Sequence, residues 1–404
     1  MTNTILTTSV ILDYTLANFV NEMPFIHTAS RNAEREMMRG PYKYGDTINI
    51  RRAPRSVIQD GQSLAYQNYQ EKSEPLTIAY WPGRLISFNS FELTLQLDDF
   101  YERVMSAHVT SIANQIERFI ASNASLQLYN YEGSSSSAIN SFAAIDLLNA
   151  RLNLMGLPMS RDRYLVLSQN DSHQVKTSLV NYYNKTFNEG IGLHSALGNL
   201  ANFDVFQSQN VFVQNAGNFG AGPITTTAIV SSGNTIPMTG FPINTVVFNA
   251  GDRFSVSDVF TVNPVGFNAT PRNMQFVVTE NITSDGAGNA NVLVAPEIIS
   301  DTGNSFKNVS NPIPSGATVT PLGSHNVNVA YERGALDIVM PPLDKLIVAQ
   351  SSVVTDNKLG ISLRLSMQGD VQNSVNAYRL DALVGIKWHP EYAVVGASAP
   401  QLTI

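Results

Sequence analysis

At 404 residues the chain is longer than one ordinary hydrophobic core serves, and a prior of about one domain per 150 residues points to two or three. Hydrophobic residues make up 43% and charged residues only 14%, against roughly 25% in an average soluble protein, which fits a surface largely covered by copies of itself. A net charge of -7 argues against a reader of nucleic-acid sequence, and the absence of cysteine excludes disulfide frameworks, thiolate metal sites and thiol nucleophiles.

The first 30 residues hold no Lys or Arg, and Asp13 interrupts the apolar run from Val10 to Leu12. Neither a signal peptide nor a membrane span is expected, and the chain should stay in the cytoplasm. Residues 8–23 read as an amphipathic helix, with Val10, Ile11, Leu16, Phe19, Val20 and Met23 at spacings near three and four. Between Arg31 and Arg55 lie seven basic residues against the three acidic ones Glu34, Glu36 and Asp46. Thr47 to Arg51 alternates with Ile48 and Ile50 on one face, and Leu76 to Trp81 alternates with Ile78 and Tyr80. The stretch between them holds Pro54, the Asp60-Gly61 turn pair and little apolar clustering, so a long hairpin arm is expected, lying on something else for its core.

No Gly or Pro intervenes between Gly83 and Gly133, and inside that stretch sits the clearest helix. Asp98 or Asp99 caps it, and Met105, Val109, Ile112, Ile116 and Phe119 form one apolar stripe. About 25 residues at roughly 1.5 Å each give a rod near 37 Å long, suited to the spine of a thin plate. A serine-rich loop at Gly133 to Ser137 follows. Asn140 or Ser141 then caps a helix with Ile145, Leu148, Leu152 and Met155 on one face, stopped by Gly156 and Pro158. Tyr164 to Leu167 reads as a short buried strand, Ser168 caps a further helix to about Val180, and Phe203 to Phe206 reads as another strand.

Composition shifts near residue 216. From 215 to 325 lie 12 of the 26 glycines and nine of the 19 prolines, with short β-type runs at Thr245 to Phe248, Phe254 to Val256, Gln275 to Thr279 and Asn291 to Val294. That pattern predicts an inserted all-β domain, a small barrel or sandwich. Beyond it, Ile361, Leu363, Leu365 and Met367 alternate with Ser362, Arg364, Ser366 and Gln368, which predicts a strand with one wet face. A last strand is expected over Tyr378 to Lys387. The framework is thus α/β in order, interrupted by a β domain and resumed at the C-terminus.

Catalytic signals are weak. The six histidines, His27, His108, His173, His194, His325 and His389, show no pair at metal-ligand spacing. Asp98 and Asp99 are neighbours at a helix start, where carboxylates serve the cap and the dipole. Gly217 to Gly222 is followed by Pro223 and a threonine run in place of a helix, so it reads as a linker and not a phosphate cradle. Asp285-Gly286-Ala287-Gly288-Asn289 suits a hairpin turn, with calcium binding as the lesser alternative. No catalytic, cofactor or metal residue is assigned.

Several stretches together carry a family likeness: Asn249-Ala250-Gly251-Asp252-Arg253-Phe254, the Asp285 to Ala290 turn, Leu363-Arg364, and Arg379 to Lys387 with Pro390-Glu391. In their order, and with the helix, arm, spine and interrupted α/β domain before them, they resemble the Hong Kong 97-type major capsid proteins of tailed phages. The subgroup it resembles is the phage-P-twenty-two-like coat proteins, which carry an inserted β-barrel. The resemblance implies an α+β fold with an N-terminal arm at 1–39, an extended hairpin arm at 40–85, and a peripheral domain with the spine helix at 86–127. It implies an axial domain at 128–215 and 324–376 around an inserted β domain at 216–323, and a C-terminal peripheral strand at 377–404.

The implied function is a major capsid protein that self-assembles, as hexamers and pentamers, into an icosahedral shell around double-stranded DNA bound without sequence specificity. A scaffolding protein and a portal are the implied partners, with no membrane, no cofactor and no enzymatic activity. In such shells the arm reaches over a neighbour, so Arg51, Arg52 and Arg55 are candidates to meet Asp98, Asp99 or Glu102 of the adjacent copy. Exposed pairs are worth only about 0 to 1 kcal/mol each, which suits reversible assembly. Two rivals are a nanocompartment shell, which usually lacks an insertion like 216–323, and a secreted carbohydrate-binding protein, disfavoured by the missing signal peptide. A hydrolase using Asp98 or Asp99 is the third.

Overall fold

The structure, a computed structural model, describes residues 24–30, 44–52, 55, 73–89, 106–159, 162–179, 197–346, 350–356, 361–370 and 373–400. The expected helix at 8–23, most of the arm's middle, and Asp98, Asp99, Glu102 and Met105 lie outside them. In chain order the elements are α1 (Pro24–Thr28), β1 (Thr47–Arg51), β2 (Ser73–Tyr80), β3 (Gly83–Asn89), α2 (Ser106–Gln127), β4 (Tyr131–Gly133) and α3 (Phe142–Leu154). There follow β5 (Arg163–Leu167), α4 (Gln169–Leu179), β6 (Asn199–Leu200), β7 (Phe203–Gln207), β8 (Phe212–Gln214), β9 (Ile224–Thr226), β10 (Ser232–Thr239), β11 (Val246–Phe248) and β12 (Arg253–Val262). The remainder are β13 (Ala269–Val278), β14 (Ile282–Thr283), β15 (Asn289–Ile299), β16 (Thr318–Pro321), β17 (His325–Glu332), β18 (Leu336–Val339), β19 (Gln350–Asp356), β20 (Ile361–Asp370), β21 (Val375–Asp381), β22 (Val384–Trp388) and β23 (Ala393–Ser398).

These elements fall into two compact units. The first is drawn from Met1–Ile50, Ser73–Ile120 and Leu336–Lys387. It holds two four-stranded sheets, β1-β2-β22-β18 and β19-β20-β21-β3. In β1 and β2 the predicted alternation is realised: Ile48, Ile50, Leu76 and Ile78 are buried and pack with Val339 and Leu383. The roots of the hairpin arm thus obtain their core from strands more than 250 residues away in the chain, as a segment with no apolar clustering of its own requires. In α2 the buried row is Ile112, Ala113, Ile116, Ile120, Ala121 and Ala124, so the stripe includes small residues that apolar counting passed over. Phe119 lies at its edge and stacks on Tyr80 with ring centroids 3.9 Å apart.

Two expectations are corrected here. The strand over 361–370 has no wet face along its first six residues, where Ser362, Arg364 and Ser366 are buried along with Ile361, Leu363 and Leu365, while Gln368 to Asp370 at its end are exposed. The polar side chains answer one another across the sheet, Ser351 with Ser366 at 2.5 Å and Thr355 with Ser362 at 2.9 Å, so alternation there marks a satisfied polar layer, not solvent. The single strand expected over 378–387 is two, β21 and β22, which belong to different sheets. The chain changes sheets at Ala382, whose N–H donates to the carbonyl of Pro82 at 3.1 Å.

The second unit is drawn from Arg51–Lys72, Ala121–Ala335 and Trp388–Ile404. Its seven-stranded sheet runs β4-β23-β17-β5-β7-β6, with β8 also on β17. Helix α3 begins where Ser141 Oγ accepts from the Ala144 N–H at 3.3 Å, and its Ile145, Leu148 and Leu152 face the core as predicted. Helix α4 begins at Ser168, whose Oγ accepts from the Asp171 N–H at 3.2 Å. Between β8 and β17, strands of one sheet, the chain leaves to form a closed barrel, β10-β15-β13-β12-β16-β9. Its interior takes alternate residues such as Phe254, Val256, Met274, Phe276, Val292 and Val294, all buried, and each worth about 1.5–3 kcal/mol for its largest side chains. The run Thr245 to Phe248 lies outside this barrel, as β11 paired with β14. Between β14 and β15 the predicted turn is present: the Asp285 carboxylate accepts from the N–H groups of Ala287 and Asn289, both at 2.8 Å.

Candidate assembly surface and its buried supports

At the root of the arm, Arg52 and Arg55 both reach Glu391 of the same chain, Arg52 Nη1 at 3.3 Å and Arg55 Nη2 in a closer contact. Arg55 also sits over the Phe306 ring, 5.5 Å from its centroid. Glu391 is presented by a single 3-10 turn, Pro390–Tyr392, that links β22 to β23. The two arginines are therefore placed on an acid of their own chain, and Arg51 is left exposed at the end of β1. The carboxylates expected to receive them, Asp98, Asp99 and Glu102, lie outside the described residues. In the sequence Glu391 stands out only within the family likeness, and the local excess of arginine over acid between 31 and 55 is the signal that a distant carboxylate is needed.

Asp381 is a second hub, in the first unit. Its two oxygens accept from Arg364 Nε at 2.9 Å and Nη2 at 2.6 Å, a bidentate pair, and Oδ2 accepts also from Arg379 Nε at 2.9 Å and from the Trp81 indole at 3.2 Å. Arg364 Nη1 donates to the Asp344 carbonyl at 2.7 Å. Arg364 and Asp381 stand opposite each other in the β20–β21 register, so the pairing is fixed by backbone geometry before any side chain moves.

Glu117 is buried in the middle of α2. Its Oε1 accepts from the Phe25 N–H at 3.0 Å, holding the start of α1, and its Oε2 has no hydrogen-bond partner. Burial outweighs the backbone N–H groups of Phe25 and Ile26 and pushes its pKa up to about 8, so the carboxyl is neutral at physiological pH. The sequence signal was present but faint: Ala113, Glu117, Ala121 step by four beside the apolar stripe.

In the second unit, Arg253 is wholly buried and serves the C-terminus of α2. It donates to the carbonyls of Ala124 at 3.3 Å, Ser125 at 3.0 Å and Leu128 at 2.9 Å, and to Gly251 O at 3.1 Å. His325 Nδ1 faces the Gly323 carbonyl at 2.7 Å and must donate there, so its Nε2 is free to accept from Arg253 Nη1 at 3.1 Å. Burial, and then the neighbouring guanidinium, hold His325 down to a pKa of about 3; burial also lowers Arg253, to about 9. Asp252 beside them accepts from Gln214 Nε2 at 2.8 Å, Asn249 N at 2.8 Å and Gly217 N at 2.9 Å. The Gly217 stretch thus belongs to the barrel's attachment, and a Cβ at Gly217 would stand 2.3 Å from the Val247 carbonyl oxygen. A further buried carboxylate, Asp171, accepts from Ile139 N at 3.0 Å, Ser168 Oγ at 2.7 Å, Asn328 Nδ2 at 2.9 Å and Ser398 Oγ at 2.6 Å.

Asp381, Arg253, Asp252 and Asp171 are held in structural hydrogen bonds or ion pairs, and among the described residues no three His, Asp or Glu side chains stand together as a metal site. No helix among the described residues is long and apolar enough to cross a membrane. The arrangement defines a structural protein whose charged side chains fasten arms, helix ends and an inserted barrel. Residues 85–397 match the family model described as P22 coat protein - gene protein 5, and the chain belongs to that family. It is a phage major capsid protein that forms the head shell, and a closed six-stranded barrel interrupts its second unit. Its place is the virion, as a shell-forming homo-oligomer.

No curated protein matches the chain. Among solved structures it is similar to one titled Mycobacterium phage Che8, with a TM-score of 0.47 and 13% identity over 93% of this chain and 90% of that one. The capsid of Ralstonia phage GP4 gives a TM-score of 0.46 and 10% identity over 93% and 89%. The capsid of Staphylococcus phage Andhra gives 0.40 and 10% over 93% and 84%. Family membership rests on the family match and not on these distant likenesses.

Proposed function

We propose that this capsid protein assembles as hexamers and pentamers in the host cytoplasm into an icosahedral shell around double-stranded DNA, with a scaffolding protein and a portal, and without enzymatic chemistry. The observation that carries this reading is the family match over residues 85–397. A net charge of -7 supports a genome held by enclosure and not by sequence-specific contacts.

Within that shell, Arg51, Asp98, Asp99 and Glu102 are the candidate contacts between neighbouring copies. Arg52 and Arg55 take a different part, since both engage Glu391 of their own chain and so aim the arm from its root. Weak individual pairs suit this scheme, because misplaced subunits can leave before the shell closes. The test is expression with and without the neighbouring genes, read by negative-stain electron microscopy. Arg51→Glu should lower shell yield while the subunit stays folded, and Asp98→Arg in the same chain should restore it. Normal shells from a chain lacking all three arginines would remove the arm from the assembly scheme.

A further inference from the structure

We propose that the face built by Tyr44, Trp81, Leu85 and Arg379 is a contact surface that a second copy of this chain covers in the assembled shell. All four residues belong to the first unit. Trp81, between β2 and β3, is 44% exposed, yet its ring is fixed: the indole N–H donates to Asp381 Oδ2 at 3.2 Å, and the guanidinium carbons of Arg379 and Arg364 lie 5.4 and 5.9 Å from the ring centroid. Tyr44, 59% exposed, tilts against it with centroids 6.2 Å apart. Leu85 is 68% exposed and directly opposite Arg379 in the β3–β21 register, so both side chains rise from the same face.

A rigid tryptophan flanked by tyrosine and arginine has the composition of an interface hot spot, because it offers a large area and has little freedom left to lose on binding. The charge identifies the occupant. Two guanidinium groups share the single carboxylate of Asp381, which leaves the patch positive on a chain whose net charge is -7. The rest of another copy is therefore its electrostatic complement. Duplex DNA suits the patch less well: its bases are already stacked and offer Trp81 no free face, and its phosphates offer Leu85 no apolar partner. The inference rests on the shell-forming function.

The chain has two tryptophans, and Trp388 is fully buried, edge-on to Tyr331, so Trp388→Phe leaves Trp81 as the one indole reporter. Emission and acrylamide quenching are then compared between the unassembled subunit and closed shells of this chain alone. Burial at an interface with interior-like packing should cut the quenching constant roughly threefold or more and shift emission to the blue. Trp81→Ala should raise the protein concentration needed for assembly roughly 30-fold, as loss of a hot spot does. Leu85→Lys, at a site too exposed to affect folding, should impair assembly with an unchanged subunit melting temperature. Equal quenching before and after closure would overturn the inference while leaving the shell intact. So would protection that appears only when DNA or a second protein is added, or that is already complete in the lone subunit. Failure to form any particle even when the neighbouring genes are expressed with the chain would overturn both the inference and the shell-forming function.

Discussion

Replacing Arg253 by Met keeps an apolar stem of similar length and removes every donor. The carbonyls of Ala124, Ser125, Leu128 and Gly251 and the Nε2 of His325 all lose a partner in the interior of the second unit. The Leu128 N–H still serves Ala124 O at 3.1 Å, so the loss falls hardest on the others. Each stranded buried acceptor costs about 1–3 kcal/mol, and the positive charge at the helix C-terminus is worth up to about 2 kcal/mol more. Against this, the variant no longer buries a cation, which recovers several kcal/mol. A net loss of about 3–5 kcal/mol is expected, the range for breaking one side of a buried charged network. At roughly 2–4 °C per kcal/mol for a unit of this size, the melting temperature should fall by roughly 10 °C. The assay is thermal unfolding of the unassembled subunit carrying Trp81→Phe, so that Trp388, packed against Tyr331 in the same unit, reports the transition. Arg253→Lys, which keeps the charge but spans fewer carbonyls, should fall between the two. A melting temperature within about 2 °C of the parent would refute the assignment of Arg253 as the fastener of that helix end, since less than one kcal/mol would then separate them.

Further outcomes concern pH and one more hub. Glu117 binds its proton up to about pH 8 in the fold, against a usual value of 4.5, so its contribution to the first unit's stability is fully present below about pH 4.5 and is lost as pH rises to about 8. Glu117→Gln should flatten this dependence, measured by urea unfolding between pH 5 and 8; an unchanged slope would dismiss the carboxyl as its source. His325 runs the other way: held down to about 3 from a usual 6.5, it costs the second unit stability as pH falls from 6.5 toward 3. Single-tryptophan chains reporting through Trp81 and Trp388 should therefore show opposite trends between pH 4.5 and 6.5, and parallel trends would contradict both assignments. Asp171→Asn turns an acceptor of four hydrogen bonds into a group that must also donate, and should cost about 2–4 kcal/mol in urea denaturation.

The local parts of this fold were open to sequence reading wherever one short stretch contains its own cause. Ser141 and Ser168 cap the helices they precede, Asp285 closes its turn, and the apolar face of α3 is the one its spacing predicts. Readings failed where the cause lay elsewhere in the chain. Ser362, Arg364 and Ser366 look like a solvent face until Ser351, Thr355 and Asp381 are brought across the sheet to satisfy them. Tyr378 to Lys387 looks like one strand until two different sheets claim its halves. Spacing likewise gives no sign that Arg52 and Arg55 meet Glu391 of their own chain, more than 330 residues away.

By itself the amino-acid sequence determined the class of elements, their order, the interruption of an α/β framework by glycine- and proline-rich β runs, and a family likeness spread along nearly the whole chain. Those features depend on neighbours within a turn or a strand, and such interactions are written in consecutive residues. The tertiary structure alone decided which charges are buried: Glu117 under Phe25, Arg253 on the end of α2, and Asp381 between two arginines beneath Trp81. A buried charge is stable only beside partners that desolvation forces upon it, and long-range folding, not spacing, brings those partners there.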